Sequence, residues 1–220
     1  SGAVAVLQML GILERAGFAQ AAPNSAEAVH LFSEAGRLAY ADRARYIADP
    51  AFAPQPIAGL LAPDYLAGRA ALIGARSIGE AQPGRPRGAP DWSEAAAEMS
   101  AGTSHISVLD AEGNAVAMTT SIEYAFGSRI FVRGFLLNNQ LTDFTSVPQR
   151  GGRLAANRVE PGKRPRSSMA PTIVFDRGGR VRMILGSPGG TGIINYVAKT
   201  LVATRDWGLE VQDAIALPNF

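Results

Sequence analysis

The sequence predicts a layered α+β fold, and three observations carry the prediction. Apolar residues recur at helical spacing through the first third of the 220-residue chain. From Thr103 onward they recur at a spacing of two, in short runs separated by turn residues. Helical spacing returns after the glycine-rich stretch "GSPGG" at 186–190. Helices, then antiparallel strands, then helices again is the order of an α+β chain rather than of alternating βαβ units.

Residues 2–17 carry Val4, Leu7, Leu10, Ile12 and Leu13, the wide apolar face of a helix. Asn24-Ser25-Ala26-Glu27 reads as an N-cap with Glu three residues on, opening a long helix to about Ala48 that Asp49-Pro50 ends. Pro63-Asp64 starts a shorter helix through about Leu72. Residues 79–102, "GEAQPGRPRGAPDWSEAAAEMSAG", read as a loop or flexible linker. "HISVLD" and "NAVAMTTSI" flank Ala111-Glu112-Gly113 and form a hairpin. "RIFV", "FLLNN", "PTIVFD" and "VRMILG" are further strands, the last two joined by "DRGG" at 176–179. "TGIINYVAKTLVATRDWG" is a helix that Gly208 closes, and "EVQDAIAL" begins another. The chain therefore divides into a helical part at 1–78, a linker at 79–102 and a strand-rich part at 103–220. Its opening, a helix without an initiator Met, reads as a piece of a longer protein.

Composition excludes several classes. Lys and Arg total 21 against 19 Asp and Glu, a net charge of +2, and no basic run argues for nucleic acid. There is no Cys, which removes disulfides, thiolate metal sites and a Cys nucleophile. The two histidines, His30 and His105, lack carboxylates at metal-ligand spacing, so neither a metal nor a cofactor is expected. No run of about 18 apolar residues offers a membrane span. The compartment stays open.

Four stretches could carry chemistry. "GSPGG" follows a strand and opens a helix, where backbone N–H groups can face an anion or a developing oxyanion. It is equally a tight turn, and it lacks the Lys-Ser/Thr of a phosphate loop, since Thr191-Gly192 follows Gly190. Ser167-Ser168 precedes a strand and can hold a polar ligand or cap a turn. Asn138, Asn139, Gln140 and Asp143 end an apolar strand, as turn formers or as a binding edge. Thr103 has no evident Asp-His pair to activate it. It would become a nucleophile if the bond before it broke, because its own α-amine would then be the base. That amine has a pKa of about 7.7–8.0, against about 10.4 for Lys, and so lies near the useful range.

Taken together, "AYADRARYIADPAF", "TSHISVLDAEGNAVAMTTS", "FGS", "FLLNNQLTDF", "GKRPRSSMAPTIV" and "GSPGG" resemble, in order and spacing, the γ-glutamyltransferase (glutathione hydrolase) family of N-terminal nucleophile hydrolases. The resemblance implies a four-layer αββα sandwich and a precursor that cuts itself at Gly102–Thr103 into a large and a small subunit. It implies that Thr103 then attacks a γ-glutamyl amide to form an acyl-enzyme, which water or an acceptor amine resolves. Ser121 matches a Thr whose hydroxyl supports the nucleophile. Gly189 and Gly190 match the oxyanion-hole glycines. Gln140 and Asp143 match residues that hold the substrate α-amino group, and Ser167 and Ser168 match binders of its α-carboxylate. Expected partners are a small amide substrate and the rest of the protein's own subunits.

Three departures bear on the substrate. Glu123 stands where well-known members have Asn in contact with the amino acid end of the substrate, and its carboxylate would repel an α-carboxylate unless protonated or turned away. The segment 145–162 has no Tyr for a lid. The family's substrate-carboxylate Arg lies upstream of Ser1, so the 220 residues alone are expected to be inactive. Cephalosporin acylases share fold and nucleophile and take glutaryl-type amides, which makes an acylase the first alternative. A silent binding or structural module is the second.

Overall fold

The computed structural model describes residues 2–95 and 102–220. Helix α1 (Gly2–Arg15) lies against α2 (Ala26–Tyr46), α4 (Pro63–Ala70) and α5 (Ile193–Arg205), with a short α3 (Ile57–Leu60) before α4 and α6 (Val211–Ala216) near the end. Met9, Ile12 and Leu13 of α1, Phe32 and Leu38 of α2, and Ile193, Ile194 and Val197 of α5 form one buried core. Trp207, just past α5, stacks on Phe18 with ring centroids 5.2 Å apart. The helices thus clamp the two ends of the sequence together. α1 also approaches the strand-rich part closely: a Cβ on Gly2 would sit 2.2 Å from the Ser168 carbonyl oxygen, so only glycine fits there.

The cap of α2 is Ser25, whose side chain accepts from the Ala28 N–H, rather than Asn24, which takes a left-handed φ of 57°. The helix ends at Tyr46, two residues before the expected Ala48. Its buried face carries Asp42 and Arg43 side by side. Asp42 accepts from Gln8, from Tyr65 Oη (2.8 Å) and from the Gly84 N–H (2.7 Å), and lies 3.4 Å from Arg69. Tyr46 Oη donates to the Gly84 carbonyl and Arg45 to the Trp92 carbonyl. Residues 79–95 therefore follow α2, held by its polar side chains although they form no helix.

Among the described residues the strands form four antiparallel hairpins. β1 (Thr103–Leu109) pairs with β2 (Ala115–Ser121), β3 (Phe131–Val132) with β4 (Phe135–Leu136), β5 (Gln149–Arg150) with β6 (Arg153–Leu154), and β7 (Thr172–Phe175) with β8 (Val181–Leu185). The "RIFV" and "FLLNN" runs give only two paired residues each, and β5–β6 has no alternating pattern to announce it. In β1–β2 the register sets Thr103 opposite Ser121 and His105 opposite Thr119. That small, polar face turns inward: Ser107 Oγ donates to the Ile184 carbonyl of β8, and His105 bonds Thr119 and packs on Gly186. The other face presents Ile106, Val108, Val116 and Met118, each about half exposed. Among the described residues, no helix is long and apolar enough to cross a membrane.

Candidate active site

β1 begins on Thr103, and the hairpin register delivers Ser121 to it. The Thr103 hydroxyl donates to Ser121 Oγ at 3.1 Å, and Ser121 Oγ donates to the Gly102 carbonyl at 3.3 Å. The Glu123 N–H donates to the same Oγ at 2.9 Å. Ser121 thus uses its one proton and both lone pairs. The chain of hydroxyls runs from the nucleophile candidate to the carbonyl directly before it. Gly102 is confined as well, since a Cβ there would lie 2.1 Å from the Glu123 carbonyl oxygen.

Past β2 the chain turns sharply, and Glu123 takes a left-handed φ of 77°, an uncommon state for a side-chain-bearing residue. Its carboxylate accepts from Gln140 Nε2 (3.3 Å), which also donates to Asp143 Oδ2 (2.8 Å). Gln140 and Asp143 belong to one 3₁₀ turn at Gln140–Asp143, so a single turn presents both. Burial first, and then the charge and hydrogen bond of Glu123, push the Asp143 carboxyl up to about 7.

A basic group stands behind the two serines. Arg43 donates from one guanidinium nitrogen to Ser168 Oγ (2.7 Å) and to the Ser167 carbonyl (3.2 Å). Its Nε is buried with no hydrogen-bond partner among the described residues. Burial brings Arg43 down to about 10, with Tyr40 and Asp143 acting to hold it up. Arg166 is also buried; it donates to the carbonyls of Arg43 and Ala44, and burial and then Arg43 bring it down to about 9. Both remain cations near neutral pH. Because Ser168 Oγ already accepts from Arg43, its own proton is left to donate, the polarity an anionic ligand needs.

Gly189 and Gly190 carry φ values of 128° and 55°, which favour glycine, and Gly190 opens a 3₁₀ turn leading into α5. The turn is anchored at Thr191, whose carbonyl accepts from Tyr40 Oη. A Cβ on Gly189 would meet the Tyr196 ring at 2.5 Å.

One cavity is lined by Thr103, Ser121, Glu123, Gln140, Asp143, Ser167, Ser168 and Gly190, with Met169, Thr191 and Ile193 completing its wall. Of the site residues that the family resemblance implies, Gly189 and Gly102 are outside that lining: Gly189 adjoins Gly190, and Gly102 reaches the site through its carbonyl, while Asn138 and Asn139 at the same strand end are also outside it. His105 is outside it, and burial holds its imidazole below the ordinary value. The cavity measures about 30 Å³, room for water rather than for an amino acid. Among the described residues no group of three or more His, Asp and Glu could hold a metal. Sequence reasoning missed Arg43 and Arg166. The signal for Arg43 was available: it falls on the buried stripe of α2 with Leu38, Ala39 and Tyr46, where an unexplained cation calls for a partner.

Over 98% of its length the chain superposes on 36% of the cephalosporin acylase from Bacillus halodurans with a TM-score of 0.82, at 23% identity, which shows that the two share a fold. The family model for gamma-glutamyltranspeptidase matches residues 1–220. The chain belongs to the γ-glutamyltranspeptidase family. It is 39% identical over its whole length to the glutathione hydrolase proenzyme of Bacillus subtilis (strain 168), and 34% identical over its whole length to the acylase ACY 1 proenzyme of Pseudomonas sp. (strain SE83). It spans 38% of the first of these relatives and 37% of the second.

Proposed function

We propose that this chain carries the self-cleavage site and most of the acyl-donor pocket of a γ-glutamyl amide hydrolase or transferase. The observation that carries the reading is the hydrogen-bonded path Thr103–Ser121–Gly102. The Thr103 hydroxyl attacks the Gly102 carbonyl carbon, the Gly102–Thr103 C–N bond breaks, and the hydroxyl proton ends on the freed amine. Ser121 donates to the oxygen that becomes negative, a contact that strengthens as charge develops. Water then hydrolyses the ester and leaves Thr103 with a free α-amine.

In turnover the neutral amine takes the proton of the Thr103 hydroxyl as it attacks the amide of the donor. Backbone N–H groups at Gly189 and Gly190 face the oxyanion, each worth on the order of 3 kcal/mol in the transition state. Gln140 and Asp143 take the donor ammonium, and Ser167 and Ser168, polarised by Arg43, take its carboxylate. The division at 79–102, with the large subunit before it and the small after, belongs to this reading. So does the four-layer αββα sandwich, supported by the half-exposed apolar face of β1–β2, which a second sheet would cover.

The acylase relative supports a second reading, an enzyme for glutaryl-type amides. Turnover of γ-glutamyl-anilide and glutaryl-anilide by the full-length protein separates the two. Preferred turnover of the γ-glutamyl compound is expected, and activity on glutaryl-anilide alone would sink the first reading. The packing of Gly102 gives a further expected result. Gly102→Val pushes a side chain into the backbone of Glu123 and should slow self-cleavage at least about tenfold, roughly 1.4 kcal/mol of barrier. Material that has been cleaved should turn over normally, because residue 102 is then no longer attached to Thr103. A time course of subunit appearance by mass spectrometry, paired with turnover per cleaved chain, checks both halves.

A further inference from the structure

Glu123 is a charged residue on the wall of the cavity, and its backbone conformation is itself costly. It is 7% exposed, its N–H is fixed by Ser121, and its carboxylate is bracketed to Asp143 through the two protons of Gln140 Nε2. Ser168, by contrast, is grouped with Arg43. The pocket therefore has an acidic wall and a hydroxyl wall backed by a guanidinium. Glu123 belongs to the acidic wall, so it does not stand against a carboxylate bound at the serines.

We propose that Glu123 sets acyl-donor specificity: with Asp143 it forms a two-carboxylate receptor for a single ammonium, and so rejects acyl groups that carry no cation at that position. The inference rests on the γ-glutamyl reading above and names a specificity residue within it. An ammonium has three N–H donors. The wall offers the two carboxylates and Gln140 Oε1, which is buried without a hydrogen-bond partner among the described residues. A glutaryl chain places a methylene there, which offers no N–H donor to the carboxylates or to Gln140 Oε1 and strips them of water.

A proton follows the donor. In the empty pocket burial and the neighbouring Glu123 push the Asp143 carboxyl up to about 7, so it holds a proton through part of the neutral range. The charged groups acting on Asp143 besides Glu123 are Arg43 from α2 and Arg166 from the segment before the serines, and both stay cationic through the neutral range. The ammonium displaces the Asp143 proton, so capture of an ammonium-bearing donor strengthens as pH rises through that range. Capture of a glutaryl donor does not.

The test is the ratio of kcat/KM for γ-glutamyl-anilide to that for glutaryl-anilide, followed against pH in the full-length protein and in its Glu123→Gln and Glu123→Asn variants. The ratio cancels the titration of the Thr103 amine, which both donors need. Completed self-cleavage reports that each variant is folded around the site. In the wild type the ratio should rise as pH passes about 7. In both variants it should be about tenfold lower on the alkaline side, and its rise should move to lower pH, because Asp143 loses its acidic neighbour. A γ-glutamyl-specific wild type whose ratio and pH profile are unchanged in both variants overturns the inference alone. A wild type that turns over only the glutaryl compound overturns the inference together with the reading beneath it.

Discussion

Thr103→Ala should yield a protein that stays one chain and turns over no amide. The alanine has no hydroxyl to attack the Gly102 carbonyl, so the bond never breaks and no α-amine is released. Ser121 would still donate to the Gly102 oxygen, but polarising a carbonyl without a nucleophile leaves the peptide intact. The expected loss of turnover is at least about 10³-fold, as for removal of other catalytic nucleophiles. Thr103→Ser keeps the hydroxyl, the register opposite Ser121 and the future amine, and should still cleave. Intact mass and the N-terminal residue of the small subunit read out the first half; turnover reads out the second. Activity surviving in Thr103→Ala would refute the mechanism. A wild-type protein that remains uncleaved under native conditions would instead favour a binding or structural module. In the cleaved enzyme the pH profile has a defined sign: the neutral amine is the base, so kcat/KM should fall as pH drops below about 7.7–8.0.

The parts of this fold legible in the sequence are those governed by local rules. The β1–β2 hairpin follows from alternation around a Gly-containing turn, and the pairing of Thr103 with Ser121 follows from its register. The "DRGG" turn holds because Asp176 accepts from the N–H groups of Gly178 and Arg180. α5 follows from its apolar stripe. The rest depends on contacts distant in sequence. Residues 79–95 have linker composition but are fixed by Asp42, Tyr46 and Arg45, which lie about forty residues earlier. β3–β4 and β5–β6 are too short for a period to register. The site residues came from family motifs, not from periodicity. What those motifs did not reveal was the electrostatic company each residue keeps: that Glu123 is grouped with Asp143, and that Ser168 is grouped with Arg43.

Arg43 is where this missing layer has its largest expected effect. It sits beside Asp42, and the two neighbours face different tasks: Asp42 holds Gly84 of the segment that precedes the proposed cleavage site, while Arg43 donates to Ser168 Oγ. Arg43→Met fills the same space without the charge. Ser168 Oγ then loses the donor that leaves its proton free for a ligand. The pocket also loses the cation that draws a carboxylate toward the serines. KM for a γ-glutamyl donor should rise about 10²-fold, roughly 2.7 kcal/mol, with a smaller change in kcat. Self-cleavage should persist, because none of the three hydrogen bonds at Ser121 involves Arg43. Folding is helped by one compensation: Arg166, whose cation Arg43 destabilises, is relieved of a like charge. The pH profile carries a second signature. Arg43 acts to hold the Asp143 carboxyl down, so its removal raises that carboxyl further, and donor capture, which needs the carboxylate ionised, should set in at higher pH. Arg43→Lys restores the charge but not the guanidinium geometry, and should recover part of the affinity. A merely structural role would lower cleavage and turnover together and leave the pH profile in place. An Arg43→Met enzyme with wild-type KM would show that the serines need no cation from α2 to bind the donor.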